Sequence, residues 1–161
     1  MEPPYDRLDG VYASVSGYTG GTLENPTYEQ VVRENTGHYE AVQIFYDPQR
    51  ISYEELLDVF WVNVDPLDAG GQFCDRGASY RTAIFAHGPA QATAARRSLE
   101  ELEDSGRLPG PIVTPIIDFD VFWVAEDYHQ DYYLKNPVRY EFYRSGCGRD
   151  ARLFQLWGED A

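Results

Sequence analysis

Residues 11–21 read VYASVSGYTGG, a strand-forming run that leads into three glycines within five residues. We predict a β-strand over residues 11–16 and a tight turn over residues 17–21, because glycine adopts positive φ and permits close backbone approach. Residues 38–46 alternate between apolar and polar side chains, which is typical of a second strand. Two strands joined by an ordered loop therefore begin the fold.

Two helices are predicted beyond these strands. Ser52 and Glu55 form a capping box that begins a helix ending near Asn63, and a second helix is predicted over residues 89–105. The remaining elements are the end of a helix at 1–9, a helical turn at 28–34, a long polar loop at 64–79, a strand at 80–85 and an edge strand at 112–119. The order β, β, α, β, α, β predicts an α+β sandwich with helices on one face of a mostly antiparallel sheet.

Composition excludes several classes of function. The net charge of −14 arises from 27 acidic and 13 basic residues, and phosphate contacts need clustered Lys and Arg, so nucleic-acid binding is disfavoured. The apolar runs are too short to span a bilayer, so we expect no membrane insertion and a cytoplasmic protein. The two cysteines and three histidines are scattered, so we expect no metal site. The length suits one domain over residues 1–161.

Several stretches together resemble the signatures of the class A peptide methionine sulfoxide reductases. Any one of them alone would be weak, but their joint order and spacing are specific. They are residues 17–21, 25–28, 36–42, 46–48, 51–61, 75–81 and 125–130.

The resemblance implies a ferredoxin-like α/β sandwich with a mixed, mostly antiparallel sheet and long wrapping loops. It also implies thiol-dependent reduction of the S-epimer of methionine sulfoxide, free or in proteins, as repair of oxidative damage. No cofactor would be bound, and thioredoxin or another thiol would supply the electrons. We expect a monomer.

The family carries its nucleophilic cysteine in a Gly-Cys-Phe-Trp segment near the N-terminus, after a first strand. The sequence begins just after the position of that segment, so we expect the nucleophile and the first strand to be absent from it. Met1 is interpreted as an internal methionine of a longer protein. The alternative is a catalytically inactive relic or binding module with the same fold.

Glu40 is the candidate proton donor. It begins a strand whose face is otherwise apolar at Val42 and Ile44, and burial there would raise the pKa of its carboxyl group. The alternative from the residues alone is an acid exposed at an edge. The resemblance favours the donor.

The resemblance assigns Tyr28 and Tyr80 to hydrogen bonds with the substrate oxygen beside this acid. The alternative is simple packing, since the chain has thirteen tyrosines. Asp75 matches a family acid that hydrogen-bonds within the pocket, and its alternative is a turn residue. His129 is interpreted as structural. An acid–base hydrolase using the adjacent Glu126 and Asp127 is disfavoured, because neighbouring side chains point apart.

Cys147 is the candidate resolving thiol, because its glycine-flanked C-terminal segment suits a thiol that must travel to a sulfenic acid. A structural free cysteine is the alternative. Cys74 ranks below it, because the neighbouring Asp75 carboxylate disfavours a thiolate.

Overall fold

β1 (Val11–Thr19) is the central strand of a three-stranded antiparallel sheet in the computed structural model, which describes residues 1–33 and 36–160. β2 (Tyr39–Tyr46) pairs with one side of β1 and places Glu40 opposite Tyr18. β7 (Phe122–Val124) pairs with the other side. β1 runs through Thr19, so the turn predicted from residue 17 begins later, at Gly20, whose φ is 81°.

The glycines of the 17–21 stretch serve close packing as well as turning. A Cβ atom on Gly17 would collide with the Phe122 ring and with the Trp123 carbonyl oxygen of β7. A Cβ atom on Gly21 would lie 2.5 Å from the His38 ring, and His38 accepts a hydrogen bond from the Gly21 amide at 3.1 Å. These glycines therefore bring β7 and the loop before β2 against β1.

We expect Gly17→Ala to destabilise the fold, because the clash with the Trp123 carbonyl involves backbone that cannot rotate away. Overpacking of this kind costs about 1–3 kcal/mol, which corresponds to a fall in Tm of roughly 3–10 °C. Gly146→Ala is the matched control, since no atom lies within 4 Å of the place its methyl group would occupy and the change favours helix by about 0.5–1 kcal/mol. Thermal unfolding of both variants checks this, and an unchanged Tm for Gly17→Ala would contradict the packing role.

The second sheet is small and parallel. β5 (Ile84–Ala86) pairs with β6 (Ile116–Asp118), and Pro115 accepts a hydrogen bond from the Ile84 amide just before β6 begins. The predicted strands at 80–85 and 112–119 are therefore both shorter than expected. The long loop at 64–79 contains a minimal hairpin of β3 (Gly71–Gln72) and β4 (Asp75–Arg76), followed by a 3₁₀ turn at Ala78–Tyr80.

Two of the helices begin at side-chain caps. Ser52 and Glu55 form the predicted capping box, and Thr27 and Gln30 form another that was not predicted. Residue 34, the last residue of the helical turn predicted at 28–34, lies outside the described residues. The helices are α1 (Glu2–Asp6), α2 (Tyr28–Val32), α3 (Tyr53–Val62), α4 (Pro89–Asp104), α5 (Tyr132–Lys135), α6 (Pro137–Gly146) and α7 (Arg149–Trp157).

The main core lies between α3, α4, α7 and β5. Its buried members are Leu57, Trp61, Val64, Ile84, Ala95, Leu153, Leu156 and Trp157. The α+β class is confirmed, with a mostly antiparallel arrangement of strands. Within the described ranges, no helix is long and apolar enough to cross a membrane.

Candidate active site

A cavity of about 690 Å³ runs along the outer edge of β2. All eight residues of β2 line it, together with the chain that leads into β5 on the opposite wall. Three of the predicted site residues border this space: Glu40, Asp75 and Tyr80. The open edge of the first sheet therefore forms one side of the candidate site.

Glu40 is the titratable centre of the cavity. Burial by the surrounding protein raises the pKa of its carboxyl group to about 7, and the charges of Asp75 and Glu126 add to the rise. The Tyr80 hydroxyl opposes part of the rise as a hydrogen-bond donor. At neutral pH a substantial fraction of Glu40 thus carries the proton that an acid must donate.

The expectation of a buried Glu40 is wrong for the residue as a whole, which is exposed along the strand edge. Its carboxyl group faces the cavity, where the surrounding protein still removes enough water to raise its pKa. The far end of the same strand is apolar as predicted, since Ile44 and Tyr46 pack against the cluster of Tyr5, Ile51 and Leu56. Water in the open cavity limits the rise in the pKa of Glu40, and a bound molecule that displaced this water would increase it.

Two tyrosines lie beside this acid. The Tyr28 and Tyr80 hydroxyl oxygens are 3.5 Å apart, although the two residues are 52 positions apart in sequence. Burial, the hydrogen bond with Tyr28 and the charge of Glu40 all raise the pKa of the Tyr80 phenol. Tyr80 therefore stays a neutral donor over the working pH range. It hydrogen-bonds to the Glu40 carboxyl group and lies next to the Tyr28 hydroxyl, although Tyr28 itself does not line the cavity.

Asp75 belongs to β4 and extends the site toward α6. The Tyr143 hydroxyl donates a hydrogen bond of 2.5 Å to Asp75 Oδ1, and this bond, then burial, raises the pKa of Tyr143 to about 12. Tyr143 was not predicted as a site residue. It lies in an aromatic-rich segment where no single tyrosine stood out, so only the fold identifies it.

Glu126 fixes the position of Tyr28. Its carboxylate accepts hydrogen bonds from the Tyr28 backbone amide at 3.0 Å and from the Tyr18 hydroxyl at 3.1 Å. Burial alone would raise the pKa of Glu126, but these hydrogen bonds outweigh it and hold the pKa below its ordinary value. His129 packs on the Tyr28 ring with centroids 4.6 Å apart, and burial lowers its pKa, so it is a neutral packing partner.

Cys74 and Cys147 are joined by a disulfide bond across 73 residues. Cys74 is exposed in the β3–β4 hairpin, whereas Cys147 is partly buried between α6 and α7. Neither residue lines the cavity. Over residues 1–33 and 36–160, no three His, Cys, Asp or Glu side chains cluster in a way that could hold a metal ion.

Known proteins share this sequence and this fold. The profile of the family described as "Peptide methionine sulfoxide reductase" matches residues 1–161. A peptide methionine sulfoxide reductase MsrA of Bacillus subtilis is 51% identical over 98% of this chain and 89% of its own length.

Two solved structures are similar in fold. Methionine sulfoxide reductase A of Corynebacterium diphtheriae has a TM-score of 0.77 and 33% identity, over 85% of this chain and 69% of that one. Mxr1 from Saccharomyces cerevisiae in reduced form has a TM-score of 0.76 and 31% identity, over 83% and 76% of the two chains. This chain belongs to the class A peptide methionine sulfoxide reductase family.

Proposed function

We propose that this protein reduces the S-epimer of methionine sulfoxide, free or in proteins, to methionine, and that Glu40 is the proton donor. Support for the proposal comes from Glu40 and Tyr80, which line the cavity together, and from the Tyr28 hydroxyl, which lies 3.5 Å from that of Tyr80. A non-catalytic role is not favoured, because relatives named as reductases match 98% of the chain.

The reaction needs a thiolate, an acid and a polar cradle for the sulfur–oxygen bond. The thiolate bonds to the sulfoxide sulfur while Glu40 gives its proton to the oxygen. The resulting hydroxyl then moves to the cysteine sulfur, as its bond to the methionine sulfur and the new sulfur–sulfur bond both break. Methionine sulfoxide is reduced to the thioether, and the attacking thiol is oxidised to a sulfenic acid. The Tyr28 and Tyr80 hydroxyls hold the developing charge on the oxygen, and Asp75 lies on the same wall.

The attacking thiol is a cysteine other than Cys74 and Cys147, because neither of these lines the cavity. We assign Cys147 as the resolving thiol. Its sulfur attacks the sulfenic sulfur and releases water, which forms a disulfide with the nucleophile. Cys74 then attacks the Cys147 sulfur, frees the nucleophile and leaves the Cys74–Cys147 bond, which thioredoxin or another dithiol reduces.

A cytoplasmic location and a monomeric state belong to the same proposal. Thiols are kept reduced in the cytoplasm, and a disulfide there is usually a transient catalytic or sensing state. Such a location supports a working redox pair at Cys74 and Cys147 rather than a permanent crosslink.

Epimer-resolved turnover tests this function. We expect the protein expressed from its complete reading frame, with dithiothreitol as the reductant, to consume the S-epimer of N-acetylmethionine sulfoxide and to leave the R-epimer. Chiral chromatography measures the two epimers separately. The Cys74→Ser/Cys147→Ser double variant should still complete one turnover, because neither thiol is the nucleophile. Consumption of the R-epimer alone, or of neither epimer, would contradict the proposal.

A further inference from the structure

Arg149 is a partly buried cation that borders the cavity. Among the described residues it forms no salt bridge, and its Nε–H is buried without a hydrogen-bond partner. Its terminal nitrogen donates to the Asn63 carbonyl oxygen at 2.7 Å. A buried guanidinium group without an anion is costly, so an anion that forms beside it would be stabilised.

The disulfide lies beside this cation. Arg149 follows Cys147 by two residues, and its guanidinium carbon lies 4.8 Å from the ring centroid of Phe73, which precedes Cys74. The guanidinium group therefore occupies the junction that the Cys74–Cys147 bond closes.

The two sulfur atoms differ in charge environment. Cys74 is followed directly by the Asp75 carboxylate, while the nearby Arg76 is engaged by Asp68. Cys147 precedes the N-terminus of α7, a nine-residue helix whose dipole favours negative charge. The final carbonyls of α6 act against it, and the Asp150 carboxylate is paired with Arg144. Arg149 lies two residues after Cys147 and packs on Phe73 beside Cys74, so its charge stabilises a thiolate at this junction. The Asp75 carboxylate directly after Cys74 disfavours a thiolate there, so a thiolate is more stable at Cys147 than at Cys74.

The two sulfur atoms also differ in access. Cys74 is exposed on its hairpin, and Cys147 is partly buried between two helices. An external thiolate must approach the sulfur it attacks along the line of the disulfide bond, and the better leaving thiol departs faster. Access and charge therefore both favour attack at Cys74, with Cys147 as the leaving thiolate.

We propose that the reducing dithiol enters at Cys74, forms a mixed disulfide there, and expels Cys147 as a thiolate stabilised by Arg149. This inference rests on the proposed function in taking the bond as one that a dithiol protein reduces. The partner's first thiolate bonds to the Cys74 sulfur as the Cys74–Cys147 bond breaks, and Cys147 takes the released electron pair. The partner's second thiol then attacks its own first sulfur, which leaves Cys74 reduced and the partner oxidised.

This direction of attack links the reduction of the Cys74–Cys147 disulfide to the next round of sulfoxide reduction. Electrons enter at the exposed, anchored Cys74 and appear on Cys147, which lies between Gly146 and Gly148 at the junction of α6 and α7. Cys147 is thus the thiol set free to meet the next sulfenic acid, while Cys74 remains the docking sulfur.

A trapping experiment tests this direction of attack without any sulfoxide present. The oxidised protein is mixed with a thioredoxin whose second active-site cysteine is serine, free thiols are alkylated, and the peptides are analysed by mass spectrometry. We expect thioredoxin to be bonded to Cys74 and the alkyl group to be on Cys147. A trap on Cys147, an equal mixture, or no adduct while dithiothreitol still reduces the bond would overturn the proposal.

Arg149→Gln should slow adduct formation about tenfold, because the leaving thiolate loses its cation. Arg139→Gln is the matched control, since Arg139 is an exposed cation on α6, and it should leave the rate unchanged. Equal rates for Arg149→Gln and the unaltered protein would remove Arg149 from the proposal. If thioredoxin is trapped on Cys74 but the S-epimer is not consumed, the proposed function fails and the proposed order of attack on the disulfide stands. If the S-epimer is consumed but thioredoxin is trapped on Cys147, the proposed function stands and the order of attack fails.

Discussion

Glu40→Gln is expected to slow methionine sulfoxide reduction by about 10²–10⁴-fold, the usual loss when a general acid is removed. The amide keeps the size and the polar character of the side chain but carries no acidic proton. Binding of N-acetylmethionine sulfoxide should change much less than the rate. Single-turnover rates under dithiothreitol check this, with Glu100→Gln, an exposed acid on α4, as the control that should retain full activity.

The pH dependence of the same reaction provides an independent check on Glu40. The pKa of Glu40 is raised to about 7, so the protonated, donating form predominates below pH 7 and is lost above it. The rate of the unaltered protein should therefore fall about tenfold per pH unit well above 7. The pH–rate profile of Glu40→Gln should lack this fall at high pH, its basic limb. If the variant kept the basic limb, a group other than Glu40 would be its cause.

The stability of the folded protein should also depend on the protonation of Glu40. Because the folded protein holds a proton that the unfolded chain releases near pH 4.5, the contribution of Glu40 to stability is complete below that pH and is lost as pH rises through about 7. Glu40→Gln should show a flatter dependence of Tm on pH across this window. The solvent exposure of Glu40 makes the effect small.

Tyr80→Phe is expected to produce the second largest effect, a loss of about 10²–10³-fold in rate, as for removal of one donor to a developing oxyanion. Since the Tyr80 hydroxyl lowers the pKa of Glu40, its removal should also move the basic limb of the pH–rate profile to higher pH. Single-turnover rates between pH 6 and 9 measure both changes. Tyr12→Phe, on a residue 68% exposed in β1, is the control.

The two tyrosines should act as a unit. Their hydroxyl oxygens are 3.5 Å apart, so Tyr28→Phe and Tyr80→Phe together should lose less than the product of the single losses. Strict additivity would mean that the two tyrosines act independently. A high-pH fall in rate that moved to lower pH in Tyr80→Phe would mean that the Tyr80 hydroxyl does not lower the pKa of Glu40.

Local patterns predicted the elements that carry strong sequence signals. The alternation over residues 38–46 became β2, and the capping box at Ser52 began α3. Helix α6 was missed because none of its residues is buried, so it has no apolar stripe. Helix α7 was missed although Leu153, Leu156 and Trp157 have helical spacing, because the glycine-flanked segment around Cys147 was interpreted as mobile.

The surroundings of the proposed site residues could not be predicted from the sequence. The resemblance selected Glu40, Tyr28 and Tyr80, and the fold brings them together from three separate segments. Their exposure depends on an open strand edge, which no local pattern reports. The Cys74–Cys147 bond links residues 73 apart, and two cysteines at that separation carry no pairing signal of their own.

In the proposed mechanism Glu40 holds its proton near neutral pH and delivers it to the sulfoxide oxygen. Carbon-13 NMR titration of the Glu40 carboxyl, assigned by its absence in Glu40→Gln, measures this most directly. We expect a pKa of about 7 in the free protein and a higher value with N-acetylmethionine sulfoxide bound, because the ligand displaces water from the cavity. A pKa near 4.5 in both states would mean that Glu40 is ionised at neutral pH and is not the proton donor.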